Sequence, residues 1–291
     1  MANDGVSVAV IGRGNWGSSL AAALASAQIL LSEIVVRRRQ VTGSVLLKDA
    51  ALDAQVLWLC VPDGAIAPVA AEIARRRRNL TGQIVAHSSG ALAVDVLSDA
   101  RDAGASIASV HPAMTFPTRE VVSLKDVFFG VEAEDARTRK VLRGLVRRLG
   151  GKPFDLRSEQ KAMYHAAGTL ASPLLVSALT AAVEAAHLAG LNQNTARSWV
   201  QSLSEPTLRN VFARGAEKSF SGPFARGDAG TIRLHLKALE VHPILADVYR
   251  SLARQALETL PVRNRAGLAR ALGEKQGSAR ARKADGRGRK A

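Results

Sequence analysis

An apolar run that breaks into three spaced glycines near the start of the chain constrains the fold more than any other feature. Val6-Ser7-Val8-Ala9-Val10-Ile11 is long enough for one buried strand. It runs into Gly12-Arg13-Gly14-Asn15-Trp16-Gly17, and Ser18 to Leu31 then reads as a helix rich in Ala and Leu. Strand, glycine turn and helix in that order form the context that a dinucleotide fingerprint requires. Gly12 permits the tight turn, Gly14 leaves room for a pyrophosphate against the backbone, and Gly17 lets the helix pack on the strand. The helix start offers free N–H groups and a partial positive charge to the phosphates. Gly12, Gly14, Asn15, Trp16 and Gly17 are therefore candidate cofactor contacts.

The next strand, Glu33 to Val36, ends in Arg37-Arg38-Arg39. An NAD site places an acidic residue about 20 residues after the fingerprint to accept the ribose hydroxyls. Arginine there suits a 2′-phosphate instead, because its planar fork pairs with phosphate oxygens. Arg37 and Arg38 thus point to NADP in preference to NAD.

Strands then alternate with helices. Ala54 to Val61 is an apolar strand leading into Val61-Pro62-Asp63, followed by a helix from Ala65 to Arg78. Its four terminal arginines suit the negative end of a helix. Further strands are expected at Gly82–His87, Ala105–Val110, Val127–Val131 and Pro153–Leu156, with a basic amphipathic helix at Ala136–Leu149. The alternation predicts a doubly wound parallel sheet with an antiparallel edge. Ligands of such sheets sit beyond the carboxyl ends of the strands. The glycine turn, Pro62-Asp63, His87-Ser88-Ser89 and His111-Pro112 all fall there, which makes Val61, Pro62, Asp63, His87, Ser88 and His111 candidate site residues.

From Ser158 the pattern becomes almost purely helical. Ser158 is a suitable N-cap and Gly190 a suitable stop. The helix between them is too apolar for a surface and is expected to form the spine of a second domain, kinked at Pro173. Lys161, His165, Gly168 and Ser172 share one face, a pattern that suits the wall of a site. More helices are expected at Asn194–Ser204, Pro206–Lys218 and from Thr231 to Thr259. The intervening Gly222-Pro223-Phe224-Ala225-Arg226-Gly227-Asp228 loop offers Arg226 for a substrate carboxylate and Asp228 as a helix cap or substrate contact. The expected domains are 1–157, an α/β nucleotide-binding sheet, 158–262, all-helical, and 263–291, a basic tail.

Charge enters the argument through that tail. The net charge is +15, yet from Lys275 onward seven Lys/Arg face one acid. This stretch lacks apolar residues larger than Ala and reads as disordered, so specific nucleic-acid binding is not expected. The lone Cys60 allows no disulfide within the chain and fits a small core residue in a cytoplasmic protein. No signal peptide is expected at the start. The longest uncharged apolar run, Gly168 to Val183, is short of a bilayer span, so no membrane segment is expected either. The six histidines lack metal-type spacing with Cys or carboxylates.

Several motifs together resemble the Rossmann-like/DUF2520 proteins: Val10-Ile-Gly-Arg-Gly-Asn-Trp-Gly17, His87-Ser-Ser-Gly90, His111-Pro112, Tyr164-His-Ala-Ala-Gly168 and Gly222-Pro-Phe-Ala-Arg-Gly-Asp228. That group is similar to the 6-phosphogluconate dehydrogenase-like superfamily, which includes hydroxyisobutyrate dehydrogenases, ketopantoate reductases and pyrroline-5-carboxylate reductases. The resemblance implies a Rossmann domain followed by an all-α 6-phosphogluconate dehydrogenase C-terminal-like domain that dimerises. It also implies that Lys161 stands where relatives use a lysine to protonate the substrate oxygen. The expectation is an NADP-dependent reductase of a small carboxylate-bearing ketone or imine, with a 2-keto acid of the ketopantoate type as the sharpest version. Lys161, His165, His87 and His111 are its candidate catalytic residues, and Arg226, Asp228, Ser88 and Ser172 its substrate contacts. The alternative is an NADP(H)-binding sensor without turnover.

Overall fold

A computed structural model describes residues 5–37 and 42–273. Arg38 and the basic stretch from residue 274 lie outside the described residues. The chain divides into two compact units, Met1–Ser172 and Pro173–Ala291.

The first unit opens with β1 (Ser7–Ile11), α1 (Asn15–Ser26), β2 (Leu30–Val36), β3 (Val45–Leu46) and β4 (Val56–Leu59). It continues with α2 (Asp63–Arg77), β5 (Ile84–His87), α3 (Ser98–Asp102), β6 (Ser106–Pro112) and β7 (Phe128–Ala133). It closes with α4 (Ala136–Arg148), β8 (Lys152–Asp155) and α5 (Lys161–Ala171). The eight strands form one sheet in the order β3-β2-β1-β4-β5-β6-β7-β8. The central strands are apolar throughout because both sheet faces are covered. Leu20, Leu24, Leu142 and Leu145 of α1 and α4 pack on Trp58 and Phe129. Ile66, Val69 and Ile73 of α2 pack with Leu57, Leu59 and Val85 on the opposite face.

The expected antiparallel edge is a flank of two strands. β7 runs antiparallel to β6, and β8 runs parallel to β7. In this register Glu132 of β7 lies beside Ser109 of β6, and Gly130 beside His111.

Three local expectations are corrected. α1 stops at Ser26 instead of continuing to Leu31, because Gln28 takes a left-handed turn with φ 53° and Leu30 and Leu31 join the sheet. α2 begins at Asp63, two residues before Ala65. Its arginines also do more than oppose the helix dipole: Arg76 and Arg77 donate to the Ala50 and Ala51 carbonyls, while Arg75 pairs with Glu72.

The single long helix is two helices. α5 ends at Ser172, whose φ of −127° and ψ of −82° leave the helical region. α6 (Pro173–Leu188) begins with the proline, at the position where a missing N–H costs least. α5 therefore belongs to the first compact unit, and the division falls between 172 and 173, later than the expected 157/158 boundary. By length and composition Ser158–Leu188 would pass for a bilayer span, with a mean hydropathy of 1.6. The break leaves pieces of 11 and 16 residues, each shorter than the ~20 a span requires.

The second unit consists of α6, α7 (Gln193–Arg214), α8 (Ala216–Ser219), α9 (Pro223–Arg226), α10 (Ala229–Leu239), α11 (Pro243–Thr259) and α12 (Arg265–Ala271). α7 runs unbroken through Pro206, where two helices were expected. The proline leaves the Ser202 carbonyl without its helical donor, and the Thr207 and Ser202 hydroxyls donate to the neighbouring Leu203 and Trp199 carbonyls. α12 lies in the stretch expected as tail. Leu268 and Leu272 anchor it among Ile232, Leu236 and Leu257, which is why the helical fold extends past residue 262.

Candidate active site

The glycine turn is built as its sequence requires. Gly12 N–H donates to Val35 O at 2.8 Å and Cys60 N–H to Ile11 O at 2.7 Å, so the turn is stitched between β2 and β4. Gly12 has φ +112°, and a Cβ there would collide with the Cys60 carbonyl. A Cβ on Gly17 would collide with the Gly12 carbonyl, whereas one on Gly14 would meet nothing within 4 Å. Gly12 and Gly17 thus close the turn and Gly14 leaves it open on the outer side.

A cavity of about 290 Å³ lies along this turn, lined by Gly12, Gly14, Val36, Arg37, Val61 and Pro62 among others. It sits at the carboxyl ends of β1, β2 and β4, where the first turn of α1 presents its free N–H groups. Arg37 is exposed at the rim. Glu33, the acidic residue of β2, is unavailable to a ribose: its carboxylate accepts the Ala51 and Leu52 N–H groups at 3.1 and 2.7 Å. An open backbone at Gly14, a helix start and an arginine where NAD sites carry an acid fit a dinucleotide with a 2′-phosphate.

Asn15 and Trp16, both expected as cofactor contacts, are not among the residues that line this cavity. Asn15 Nδ2 donates to Phe116 O at 2.8 Å. The Trp16 ring packs against Phe116 and Trp58, and its Nε1 donates to Ser88 Oγ at 2.8 Å. Asp63 starts α2 and accepts the Ser89 hydroxyl at 2.9 Å.

Beyond β5 and β6 a second cluster gathers. Gly90 lies against two imidazoles: a Cβ there would stand 2.6 Å from His165 Cδ2 and 2.8 Å from His111 Nε2. His111 Nδ1 is 2.8 Å from the Tyr164 hydroxyl. The His111 and His165 rings meet edge to face at 5.9 Å. Burial holds His111 down to about 4, helped by the neighbouring His165 and Lys161 charges, so the ring is neutral near pH 7. Burial pushes the Tyr164 phenol up to about 12. A phenol donating to Nδ1 leaves the His111 proton on Nε2, toward Gly90 and His165.

Three expected roles are corrected by this geometry, those of His87, Ser88 and Lys161, and Asp228 takes the first of its two expected roles. His87 is fully buried; its Nδ1 accepts the Ser89 N–H at 3.1 Å and its Nε2 donates to Ala93 O at 3.3 Å. Desolvation lowers it to about 3, so it is a neutral core histidine with both nitrogens used, and it is not a catalytic group. Ser88 Oγ accepts both the Trp16 and Trp58 indole N–H groups, which commits it to the fold and not to substrate. Lys161 is 1% exposed and turned inward, with Ser89 O at 3.1 Å, Ser109 Oγ at 2.5 Å and Glu132 Oε2 at 3.3 Å. The ammonium thus makes two hydrogen bonds and one ion pair inside the protein, turned away from solvent. Asp228 caps α10 by accepting Thr231 N–H at 3.0 Å and Thr231 Oγ1 at 2.6 Å.

Of the remaining candidates, His165 is exposed beside His111, Ser172 is half-buried at the break after α5, and Arg226 is exposed at the end of α9. Tyr164, Gly90, Ser109 and Glu132 are site residues the sequence reading missed. Tyr164 stands three residues after Lys161 and was legible as a helical neighbour. Ser109 and Glu132 carry no local signal, because only the antiparallel register of β6 and β7 brings them under α5.

Residues 1–112 match the Rossmann-like domain family, and residues 127–256 match the family described as domain of unknown function DUF2520. No curated protein matches the sequence. Solved structures share the fold. Protein BF3122 of Bacteroides fragilis is 20% identical with a TM-score of 0.68, over 87% of this chain and 98% of its own. A Plasmodium falciparum pyrroline carboxylate reductase, solved with NADP bound, is 15% identical with a TM-score of 0.58, over 92% and 97%. An imine reductase from Myxococcus stipitatus, in complex with NADP+, is 15% identical with a TM-score of 0.61, over 87% and 94%. Residues 1–112 and 127–256 thus match a Rossmann-like domain and DUF2520 in turn, on a mostly parallel eight-stranded sheet followed by helices, the fold that these solved structures share.

Proposed function

We propose that this protein is an NADP-dependent oxidoreductase that reduces a small ketone or imine. One observation carries the reading. The Trp16–Ser88 hydrogen bond ties the glycine turn to the loop whose Gly90 lies against His111 and His165. A dinucleotide cradle and a proton-bearing cluster thereby share one edge of the sheet. The fold relatives include NADP-bound reductases of imines and of pyrroline carboxylate, which supports the same class.

When bound, the reduced dinucleotide supplies a hydride. The chain supplies the rest. The glycine turn and the start of α1 hold the pyrophosphate, and Arg37 holds the 2′-phosphate. His111, neutral and hydrogen-bonded to Tyr164, presents Nε2–H beside Gly90 to the substrate oxygen or nitrogen. As carbon gains the hydride, the oxygen or nitrogen takes that proton. The Tyr164 hydroxyl then passes its own proton to Nδ1, and solvent at His165 restores it. The product is an alcohol or amine.

The helical unit is proposed to pair with a second copy of the chain. α6 is apolar around its circumference, yet Ala186 is its only buried residue, and Leu174, Val176, Trp199 and Leu203 of α6 and α7 are about half exposed or more. Light scattering of the purified protein should give twice the monomer mass.

The functional test is a fluorescence titration with NADPH and NADH, followed by NADPH oxidation with small 2-keto acids and cyclic imines. NADPH binding tighter than NADH, with turnover of one of these classes, supports the reading. Binding without turnover of either class favours a sensor, and binding of neither dinucleotide overturns the cofactor assignment.

A further inference from the structure

Lys161 and Glu132 form a buried ion pair that the proposed reaction does not use. Lys161 is 1% exposed and Glu132 4%. The ammonium is shared among Ser89 O, Ser109 Oγ and Glu132 Oε2. The other carboxylate oxygen, Oε1, accepts the Ser158 hydroxyl at 2.5 Å and the Val94 N–H at 3.3 Å. Ser109 in turn donates to Ser89 O at 3.3 Å. This network joins the loop after β5, the middle of β6 and β7, and the chain entering α5.

Lys161 is the first residue of α5. One turn later, where i+3 and i+4 neighbours lie together, stand Tyr164 and His165. Tyr164 reaches His111 Nδ1 at 2.8 Å, and His165 rests against Gly90. The residue that fixes the start of the helix therefore also sets where these two rings fall.

We propose that Lys161 is a positioning residue: held by Glu132, Ser89 and Ser109, it seats the start of α5 so that the Tyr164 hydroxyl stays on His111 Nδ1. The proposal rests on the reading of His111 and Tyr164 as the proton-delivering pair. Lys161 is not the proton donor, because its buried ammonium is turned to Ser89 O, Ser109 Oγ and the Glu132 carboxylate. Giving up a proton would also leave Glu132 as a lone buried carboxylate, an arrangement far costlier than the pair.

The test compares full-length wild type with Tyr164→Phe, Lys161→Met and the double variant Lys161→Met/Glu132→Gln. Met alone strands the carboxylate. The added Gln removes that charge and keeps an acceptor for Ser158 and Val94. Imidazole nitrogen–proton spectra recorded across pH report the His111 ring, and NADPH titration reports the cradle separately. In Lys161→Met the His111 signals should move to those of Tyr164→Phe. NADPH-dependent turnover should fall about 100-fold, the size of effect expected when a reacting group is displaced by ~1 Å. The double variant should return the His111 signals toward wild type and recover about tenfold in turnover, because replacing a whole buried pair is far milder than breaking it.

Unchanged His111 signals in Lys161→Met would overturn the proposal. So would a double variant with wild-type His111 signals and no recovery of turnover, which would make Lys161 the donor. Failure of the wild type to bind NADPH would sink the functional reading alone, since the spectra still decide the positioning role.

Discussion

Trp16 and Trp58 donate their indole N–H groups to a single hydroxyl, Ser88 Oγ, each at 2.8 Å. Trp58 is fully buried, so its N–H has no water to turn to. Replacing Ser88 by Ala strips the acceptor from both indoles, and each unsatisfied donor costs about 1–3 kcal/mol. Ser88→Ala should therefore lower the urea midpoint with an unchanged slope and shift the tryptophan emission. A midpoint equal to wild type would show that the hydroxyl does not hold the two loops together.

Arg37 stands at the rim of the glycine-turn cavity, while Glu33 is committed to the Ala51 and Leu52 amides. Removing a charge-assisted contact to phosphate typically costs 1.5–3 kcal/mol, or about 10- to 150-fold in affinity. Arg37→Ala should weaken NADPH by that factor and leave NADH nearly unaffected in paired calorimetric titrations. Equal weakening of both dinucleotides would assign Arg37 to a part that they share.

Gly90 leaves no room for a side chain between His111 and His165. Gly90→Ala must push at least one ring aside, with an overpacking cost of about 1–3 kcal/mol. A thermal melt should show that loss, and steady-state kinetics should show a kcat reduced by at least tenfold, since displaced groups lose rate steeply. Wild-type kcat in this variant would remove the two rings from the reaction.

His87 and His111 are held down to about 3 and about 4, chiefly by burial. Their unfolded values lie near 6.5. The unfolded chain thus binds more protons than the native one between those limits, and stability rises with pH there. The native state is most favoured above about pH 6.5 and loses roughly 2 kcal/mol per histidine by pH 5. Urea midpoints measured from pH 7.5 to 5 should fall accordingly, and His87→Asn should flatten part of the slope.

The parts of this fold that a local pattern can carry were legible in the sequence. Gly12, Gly14 and Gly17 fix a strand-turn-helix with its cavity, and the alternation of apolar runs predicts the sheet. Boundaries failed where periodicity is mute. Ile29-Leu30-Leu31 reads equally as the end of a helix or the start of a strand. Ser172-Pro173 reads as a kink until the backbone is seen to leave the helical region. α12 escaped because its burial depends on Ile232, Leu236 and Leu257, residues distant in sequence. In the site, Lys161, His165, Gly168 and Ser172 were read as one face, but Ser172 has left the helix, and the inward direction of Lys161, away from exposed His165, was not legible. Glu132 and Ser109 decide that direction, and they become neighbours only through the reversal of β7. His87 likewise looked reactive because a histidine ending a strand gives no sign that its loop will fold back over it.

The reversal of β7 also bears on how the molecule can come into being. The Rossmann-like match ends at residue 112, the last residue of β6, and the DUF2520 match begins at 127, just before β7. The border between the two matched domain families therefore falls between β6 and β7, inside one continuous sheet. A chain cut at that border, or a nascent chain that has grown only so far, presents β6 as a bare edge of unpaired N–H and C=O groups, an invitation to aggregate. Family borders and self-assembly draw their lines in different places here: a piece that stands alone must extend at least through β8.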